Sequence, residues 1–217
     1  MIIEARELKL IYDGDKDIMT AAVDNADFTL HKNEMVGVMG PSGSGKSSLL
    51  YLLSGLKMPT SGSVFYDGEN ARLLTENQMN RLRRERFGFI FQRHFLISHL
   101  TVLENILLPL PHVNKQTAED AQSLLDTLQM RKYQSKKPAE LSVGERQKVA
   151  VLRALIHQPQ VLFADEPTAS LDMDTSMAVM DLIKARMQDK GIVVVTHDYK
   201  ILRNADRIVH MRDGRLA

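Results

Sequence analysis

A glycine-rich stretch at residues 40–47 has the residue types and spacing of a phosphate-binding loop. It fits the pattern G-x-x-x-x-G-K-[ST]. Glycines permit positive φ angles, so successive N–H groups can surround a phosphate chain, and the following helix N-terminus adds positive partial charge. We expect Lys46 to bridge the outer phosphates and the Ser47 hydroxyl to bind Mg²⁺. The residues predicted to form this loop are Gly40, Pro41, Ser42, Gly43, Ser44, Gly45, Lys46 and Ser47.

An acidic pair follows an apolar run later in the chain. Asp165 and Glu166 come directly after residues 161–164, which are typical of a buried strand. The carboxyl ends of parallel strands face the crevice where ligands bind in open α/β sheets. Asp165 is suited to holding Mg²⁺ through its water shell, and Glu166 to deprotonating a water molecule for attack on the γ-phosphate. The alternative is an acidic pair in a solvated turn, which the upstream loop makes the weaker interpretation.

Two further polar residues end predicted strands. His197 follows the apolar run 192–195, and Gln92 follows residues 86–91. A single histidine is more often a surface or core residue, but a place on the crevice side favours a γ-phosphate contact. Gln92 could reach Mg²⁺ or the attacking water through its amide oxygen.

The elements around these residues predict an α/β fold. A strand at 35–39 precedes the glycine loop, and a helix at 48–53 follows it, closed by Ser54-Gly55. Short continuous apolar runs at 161–164 and 192–195 are expected for parallel strands covered on both faces. A helix starting near Asp172 connects these two strands.

The N-terminal part is predicted to be β-rich. Segments 2–12 and 18–30 flank Asp13-Gly14, a hairpin turn signal, and short strands are expected at 62–68 and 86–91. Tyr12, just before the turn, could stack on a nucleotide base; local sequence alone favours an ordinary strand aromatic.

Between Gln92 and about Pro159 the pattern becomes helical. Thr117 is predicted to begin a helix, with Asp120 three residues on. The apolar stretch 95–103 is equally consistent with a core segment and with a docking surface for a partner.

Ser142-x-x-Glu145 predicts a capping box. The same helix N-terminus, beside Gly144, could bind an anion, although no other part of one chain obviously supplies a phosphate there.

Composition excludes several classes of protein. The 217 residues carry a net charge of +1 and no cysteine, which excludes disulfides and thiol catalysis, and no apolar run approaches the ~20 residues of a bilayer span. No signal peptide is visible, which predicts a chain that is soluble when isolated. A solvated helix face explains the basic cluster better than nucleic-acid binding, because no aromatics interleave with its members Arg81, Arg83, Arg84 and Arg86.

Taken together, these motifs resemble those of ABC-type ATPases across nearly the whole chain. The glycine loop, extended to Ser48, resembles Walker A, and residues 161–166 resemble Walker B with its catalytic glutamate. Residues 141–145 resemble the signature motif and 170–172 the D-loop. Gln92 resembles the Q-loop glutamine and His197 the switch histidine. Tyr12 falls where the family has its base-stacking aromatic, which reverses the local preference.

The resemblance implies a fold and a mode of assembly. It implies a P-loop NTPase with a RecA-like parallel-sheet core, an antiparallel β subdomain and an α-helical subdomain. We expect one domain, with its core at about 1–91 and 159–217 and the helical subdomain at about 92–158. Two copies would pair head to tail over two MgATP, so that Ser142, Gly144 and Glu145 contact the partner's nucleotide.

Residues 83–93 and 100–105 are similar to the macrolide-efflux (MacB) and lipoprotein-releasing (LolD) branch. That branch implies a membrane permease, either a separate polypeptide or a membrane domain from which this chain is isolated. The permease would dock near residues 92–140 at the cytoplasmic face of the inner membrane. The branch also implies export or extraction from the membrane. An alternative is an ATPase of a non-transporting membrane complex, of the signalling or cell-division type.

Two other classes are less consistent with the sequence. A DNA-repair or chromosome-organising ATPase would need a long coiled coil, but fewer than 50 residues separate Gln92 from Leu141. A P-loop kinase or GTPase would not need the helix at 141–145 or His197.

Val143 and Glu145 depart from the family's usual glycine and glutamine, and a β-branched residue at 143 requires negative φ there.

Overall fold

The computed structural model describes residues 1–12 and 20–217, so the predicted turn at Asp13-Gly14 lies outside the described residues. Within them the chain forms two sheets and six α-helices. The strands are β1 (Ile3–Tyr12), β2 (Thr20–Leu30), β3 (Glu34–Met39), β4 (Ser61–Tyr66), β5 (Glu69–Asn70), β6 (Phe87–Ile90), β7 (Val161–Asp165), β8 (Gly191–Val195), β9 (Arg207–Arg212) and β10 (Arg215–Leu216). The helices are α1 (Lys46–Leu53), α2 (Glu76–Arg86), α3 (Val102–Leu107), α4 (Lys115–Thr127), α5 (Val143–Leu155) and α6 (Met173–Arg186).

The larger sheet has the order β10-β9-β3-β8-β7-β6, and its strands from β9 to β6 are parallel. Parallel neighbours place their carboxyl ends at the same edge. Strands β3, β7 and β8 are adjacent, so the glycine loop, Asp165 and the segment after Val195 start from neighbouring points. The smaller sheet, β2-β1-β4-β5, is antiparallel. The expected α/β architecture, with a parallel core, an antiparallel sheet and a helical region, is confirmed.

Side chains that point alternately to the two faces of the central strands divide the core into two clusters. In β7, Leu162 and Ala164 face the cluster formed with α3–α6, whereas Val161 and Phe163 face the antiparallel sheet and α1. Successive side chains of a strand point to opposite faces, so a continuous apolar run is what a strand covered on both sides needs. The sheet is therefore held rigidly between two apolar layers, which fixes where its strand ends lie.

Two predicted boundaries were wrong. Helix α4 begins at Lys115, because the Asn114 side chain accepts the N–H of Thr117 at 2.9 Å and Thr117 completes the capping box. Thr117 is therefore the third helical residue and not the start. Arg86 ends helix α2 and does not belong to the following strand, which begins at Phe87. The division into a core and a helical subdomain stays a prediction.

Candidate active site

The glycine loop connects β3 to α1 and curves around an open space. Gly45 has a φ of 101°, and a Cβ there would lie 2.0 Å from the carbonyl oxygen of Ala22. Gly40 is equally confined, since its Cβ would lie 2.1 Å from the Met211 carbonyl oxygen. Only glycine fits both positions, and the sharp turn leaves the first N–H groups of α1 facing the loop.

Lys46, the first residue of α1, folds back over this loop. Its Nζ donates to the carbonyl oxygens of Gly40 and Pro41, at 2.8 Å each. The ammonium group is thus held inside the curve of the loop, where the phosphates of a nucleotide would lie.

A cavity of about 580 Å³ brings the separated motifs together. Strand ends, the loop and the start of α1 all contribute to its walls. The lining residues are Ala22, Gly40, Pro41, Ser42, Gly43, Gly45, Lys46, Ser47, Ser48, Gln92, Asp165, Glu166, Ala169 and His197. Ser44, within the loop, is buried, and its hydroxyl oxygen has no hydrogen-bond partner among the described residues.

Asp165 is the last residue of β7 and is 2% exposed. Burial raises the pKa of Asp165 above its usual value, while a hydrogen bond from Ser47 opposes this rise. The negative charge of Glu166 raises the pKa further, and the positive charge of Lys46 lowers it. A buried carboxylate beside a hydroxyl is a suitable oxygen ligand pair for Mg²⁺.

The donor set fits a magnesium ion shared with phosphate oxygens. In the described part of the chain, no group of three His, Cys, Asp or Glu side chains could hold a metal ion alone. Mg²⁺ typically takes one or two protein oxygens and completes its octahedron with phosphates and water. Ser47, Asp165 and Gln92 line the same cavity and could supply these oxygens.

Glu166 stands in the left-handed region, with a φ of 51°, and its N–H donates to the Val195 carbonyl oxygen at 2.8 Å. Its carboxylate is held from the end of β8. The hydroxyl of Thr196 donates to Oε2 at 3.0 Å, and the backbone N–H of His197 donates to Oε1 at 3.2 Å. The His197 ring nitrogen Nδ1 lies 2.7 Å from Oε1. The structure therefore brings Glu166 and His197 into direct contact at the cavity wall.

Thr196 is a contact that the sequence analysis missed. It is buried and stands between the apolar run 192–195 and His197. The sequence offered one signal for this contact. Thr196 is a hydroxyl residue at the end of a core strand, one residue before a candidate histidine.

Tyr12 lies at the rim of the site. Its hydroxyl is 3.3 Å from the Ser48 hydroxyl, and the Lys57 ammonium lies 3.9 Å from its ring centroid. The side chain is 37% exposed. One face of the ring is thus covered by a cation, and base stacking at Tyr12 stays a prediction.

The signature segment lies elsewhere. Of the described residues that line the cavity, none comes from 141–145. The predicted capping box is confirmed: the N–H of Glu145 donates to the Ser142 hydroxyl at 3.2 Å, and the N–H of Ser142 donates to Glu145 Oε2 at 2.7 Å. Hydrogen bonds from the Tyr133 side chain and the Ser142 backbone lower the pKa of Glu145. Val143 is the first residue of α5 and has the helical, negative φ that a β-branched residue requires.

No helix in residues 1–12 and 20–217 combines the length and apolar character that crossing a membrane demands.

Comparison with known proteins identifies the family. A family model described as ABC transporter matches residues 23–169. A lipoprotein-releasing system ATP-binding protein LolD from Hydrogenovibrio crunogenus is 40% identical over 99% of this chain and 95% of that protein. LolD 1 from Chlorobium chlorochromatii is 37% identical over 100% of this chain and 90% of that protein. An uncharacterized ABC transporter ATP-binding protein from Methanocaldococcus jannaschii, MJ1508, is 39% identical over 99% and 97%.

Solved structures agree with these relatives. The dimeric structure of MJ0796, described as a bacterial ABC transporter cassette, superimposes with a TM-score of 0.93. It is 33% identical and covers 99% of this chain and 96% of that chain. A dimeric post-hydrolysis state of MJ0796 bound to ADP and Pi gives a TM-score of 0.92 at 32% identity, with the same coverage. The chain therefore belongs to the ABC transporter family, as an ATP-binding and ATP-hydrolysing cassette.

Proposed function

We propose that two copies of this chain close head to tail over two MgATP and drive a separate membrane permease. The observation that carries this proposal is the position of Glu166, in one cavity with Lys46 and Asp165, while the signature segment lies outside that cavity. Such a site holds the groups for hydrolysis but needs a second chain to cover the γ-phosphate.

Within one chain, different residues of the site would bind the phosphates, hold the metal ion and accept the proton. Lys46 and the N–H groups of the glycine loop would bind the β- and γ-phosphates. Ser47 and Asp165 would hold Mg²⁺, which would supply neutralising charge to the phosphates. Glu166 accepts hydrogen bonds on both carboxylate oxygens, and these fix the orientation of the carboxylate. It would take a proton from the attacking water, while His197 holds Glu166 in place and contacts the γ-phosphate.

In a head-to-tail pair, the N-terminus of α5 would bind a phosphate of the partner's nucleotide. The Ser142 oxygen accepts from its own helix, so its hydroxyl hydrogen remains available to a phosphate of the partner's nucleotide. The N-terminal end of α5 adds donors and positive partial charge. The dimeric structures of MJ0796 support the pairing of two chains.

A groove of about 280 Å³ suits a segment of the permease. Its floor is apolar, and its rim carries basic groups without a carboxylate among the described lining residues. The lining residues are Arg83, Arg84, Phe87, Phe89, Phe91, Leu108, Pro109, Arg153, Ala154 and His157. Charge complementarity favours an apolar segment with acidic residues. The docking site proposed here therefore reaches beyond the range 92–140, onto α2, β6 and α5.

Relatives called lipoprotein-releasing system ATP-binding proteins support extraction from a membrane as the coupled step. The chain would then sit at the cytoplasmic face of the inner membrane, held there by the permease. With a core at about 1–91 and 159–217 and a helical subdomain at about 92–158, the groove would take lining residues from both parts. Movement between the two parts would then change the shape of the groove.

Glu166→Gln tests the assignment. This variant should bind MgATP, lose turnover and sediment with twice the 24.5 kDa mass of the chain, because the closed pair cannot reopen through hydrolysis. Adding Ser142→Arg should return it to the single-chain mass, since the added side chain would occupy the partner's phosphate position. Turnover near the wild-type rate in Glu166→Gln would contradict the role of Glu166 as base.

Reconstitution with the membrane protein that co-purifies tests the coupled step. Export or extraction from vesicles should require ATP hydrolysis by this chain. ATPase stimulation by that protein without movement of a substrate would instead support a non-transporting membrane complex.

A further inference from the structure

Gln147, in the second turn of α5, is a buried polar side chain that the site described above does not use. It is 1% exposed, and buried amides require hydrogen-bond partners. Its Nε2 donates to the Pro167 carbonyl oxygen at 2.7 Å. Its Oε1 therefore faces His94, whose Nε2 lies 2.8 Å away and must donate. One side chain thus connects two loops that belong to different parts of the molecule.

The two loops are functionally distinct. Pro167 directly follows Glu166, the candidate base. His94 lies two residues beyond Gln92 and next to Phe95, which is 58% exposed and packs edge-on against Phe91 in the groove. A chain of hydrogen bonds therefore leads from His94, beside the exposed Phe95, through the Gln147 amide to the carbonyl group of the residue after the base.

Helix α5 holds the segment 94–95 at a second point. The Arg153 guanidinium donates to the carbonyl oxygens of His94 and Phe95, at 2.7 Å each. This contact fixes the segment to the helix but does not reach the loop at Pro167. Of these two side chains, Gln147 is the one that contacts the loop carrying Glu166 and Pro167.

We propose that Gln147 is a positioning residue that couples the exposed segment 94–95 to the backbone turn carrying Glu166. Glu166 stands at a φ of 51°, a conformation that persists only when its surroundings hold it. A shift of the Pro167 carbonyl would therefore redirect the Glu166 carboxylate. Coupling between two sites is reciprocal, so nucleotide binding should also move the segment at Phe95.

This inference rests on the proposed function, because it takes Glu166 as the base and Phe95 as part of the docking surface. The simpler explanation is that Gln147 only satisfies two buried polar groups. That structural role predicts a loss of stability when Gln147 is replaced, but no loss of communication between the nucleotide and Phe95. A measurement of communication, not of stability, separates the two explanations.

The chain has no tryptophan, so Phe95→Trp creates a single fluorescent reporter at the exposed end of the link. The probe is the non-hydrolysable analogue AMPPNP with Mg²⁺, whose binding is measured separately by calorimetry. Saturating AMPPNP should shift the Trp emission of this reporter protein. Adding Gln147→Leu should abolish the shift, while the Kd for AMPPNP changes by less than about threefold.

Gln122→Leu is the matched control. It removes another partly buried amide contact of the helical region, the 2.9 Å hydrogen bond from Gln122 Nε2 to Gln134, which does not touch either loop. The Trp emission shift should survive in this variant. His94→Leu changes the partly exposed end of the link and should also abolish the shift, which keeps the test available if Gln147→Leu does not fold.

The outcomes are distinguishable. If the unmodified chain does not bind AMPPNP, the proposed function fails. If the analogue binds, the proposal for Gln147 is overturned either by a reporter protein that shows no shift or by a Gln147→Leu variant that keeps the full shift at saturation.

Discussion

The Thr196 hydroxyl donates to Oε2 of Glu166 at 3.0 Å, from the end of the neighbouring strand β8. The same hydroxyl oxygen accepts the N–H of Asp198 at 3.1 Å, so its single hydrogen is directed at the carboxylate. His197 holds the other carboxylate oxygen through its backbone N–H and its ring. The candidate base is therefore oriented by two consecutive residues that lie 30 and 31 positions away in the sequence.

We predict that Thr196→Val lowers kcat for ATP hydrolysis about 10-fold, because losing this donor frees the Glu166 side chain to rotate away from the attacking water. The KM for ATP should stay within about twofold, because Thr196 is not among the described residues that line the cavity. Thr196→Ser keeps the hydroxyl and should retain most of the activity. Steady-state ATPase assays at varied ATP concentration check this, and equal losses in both variants would contradict it.

Lys46→Ala should weaken binding of MgATP about 10- to 100-fold, because charge-assisted hydrogen bonds contribute about 1.5–3 kcal/mol. The Nζ contacts with Gly40 and Pro41 show that the ammonium group reaches the centre of the loop. Lys32→Ala is the matched control, since Lys32 is exposed and does not line this cavity. Titration with a fluorescent ATP analogue measures both affinities. Unchanged binding in Lys46→Ala would contradict the assignment of the loop.

That the candidate site residues line one cavity was predictable, because they stand at the ends of local motifs. The pattern of residues 40–47 and the apolar run before Asp165 are readable from short windows, and parallel pairing then places them at one edge of the sheet. The contact of Gln147 with Pro167 joins residues 20 positions apart, and only the packing of α5 against the sheet creates it. No periodic pattern of residues in the sequence indicates such a contact.

The start of α4 was mispredicted for a different reason. Asn114 and Thr117 are both good capping residues, and local sequence does not decide which of them is the N-cap. The groove around Phe87, Phe91 and Leu108 also required the structure, because it joins three separate stretches, 83–91, 108–109 and 153–157.

Gly144→Ala should reduce ATPase activity and stability, because a Cβ there would lie 3.0 Å from the Ser170 carbonyl oxygen and 3.2 Å from Leu171. Moving the backbone to relieve this close approach should cost about 1–3 kcal/mol of stability, and it would displace the N-terminus of α5. The neighbouring Val143→Ala is the control. Val143 is 49% exposed, so its truncation should change stability by less than about 0.5 kcal/mol. Thermal unfolding and ATPase assays measure both variants, and a larger effect at Val143 would contradict this account.

Tyr66→Phe should lower stability without changing catalysis. Tyr66 is buried, and its hydroxyl donates to the Leu53 carbonyl oxygen at the end of α1, at 3.1 Å. Losing this hydrogen bond should cost about 1 kcal/mol, which corresponds to a Tm about 2–4 °C lower for a chain of this size. Tyr199→Phe, at an exposed tyrosine, should leave the Tm unchanged. Calorimetric unfolding of the two variants tests this. An unchanged Tm in Tyr66→Phe would mean that the hydrogen bond at the end of α1 does not stabilise the fold, and a fall in kcat would mean that it also positions Lys46 at the other end of that helix.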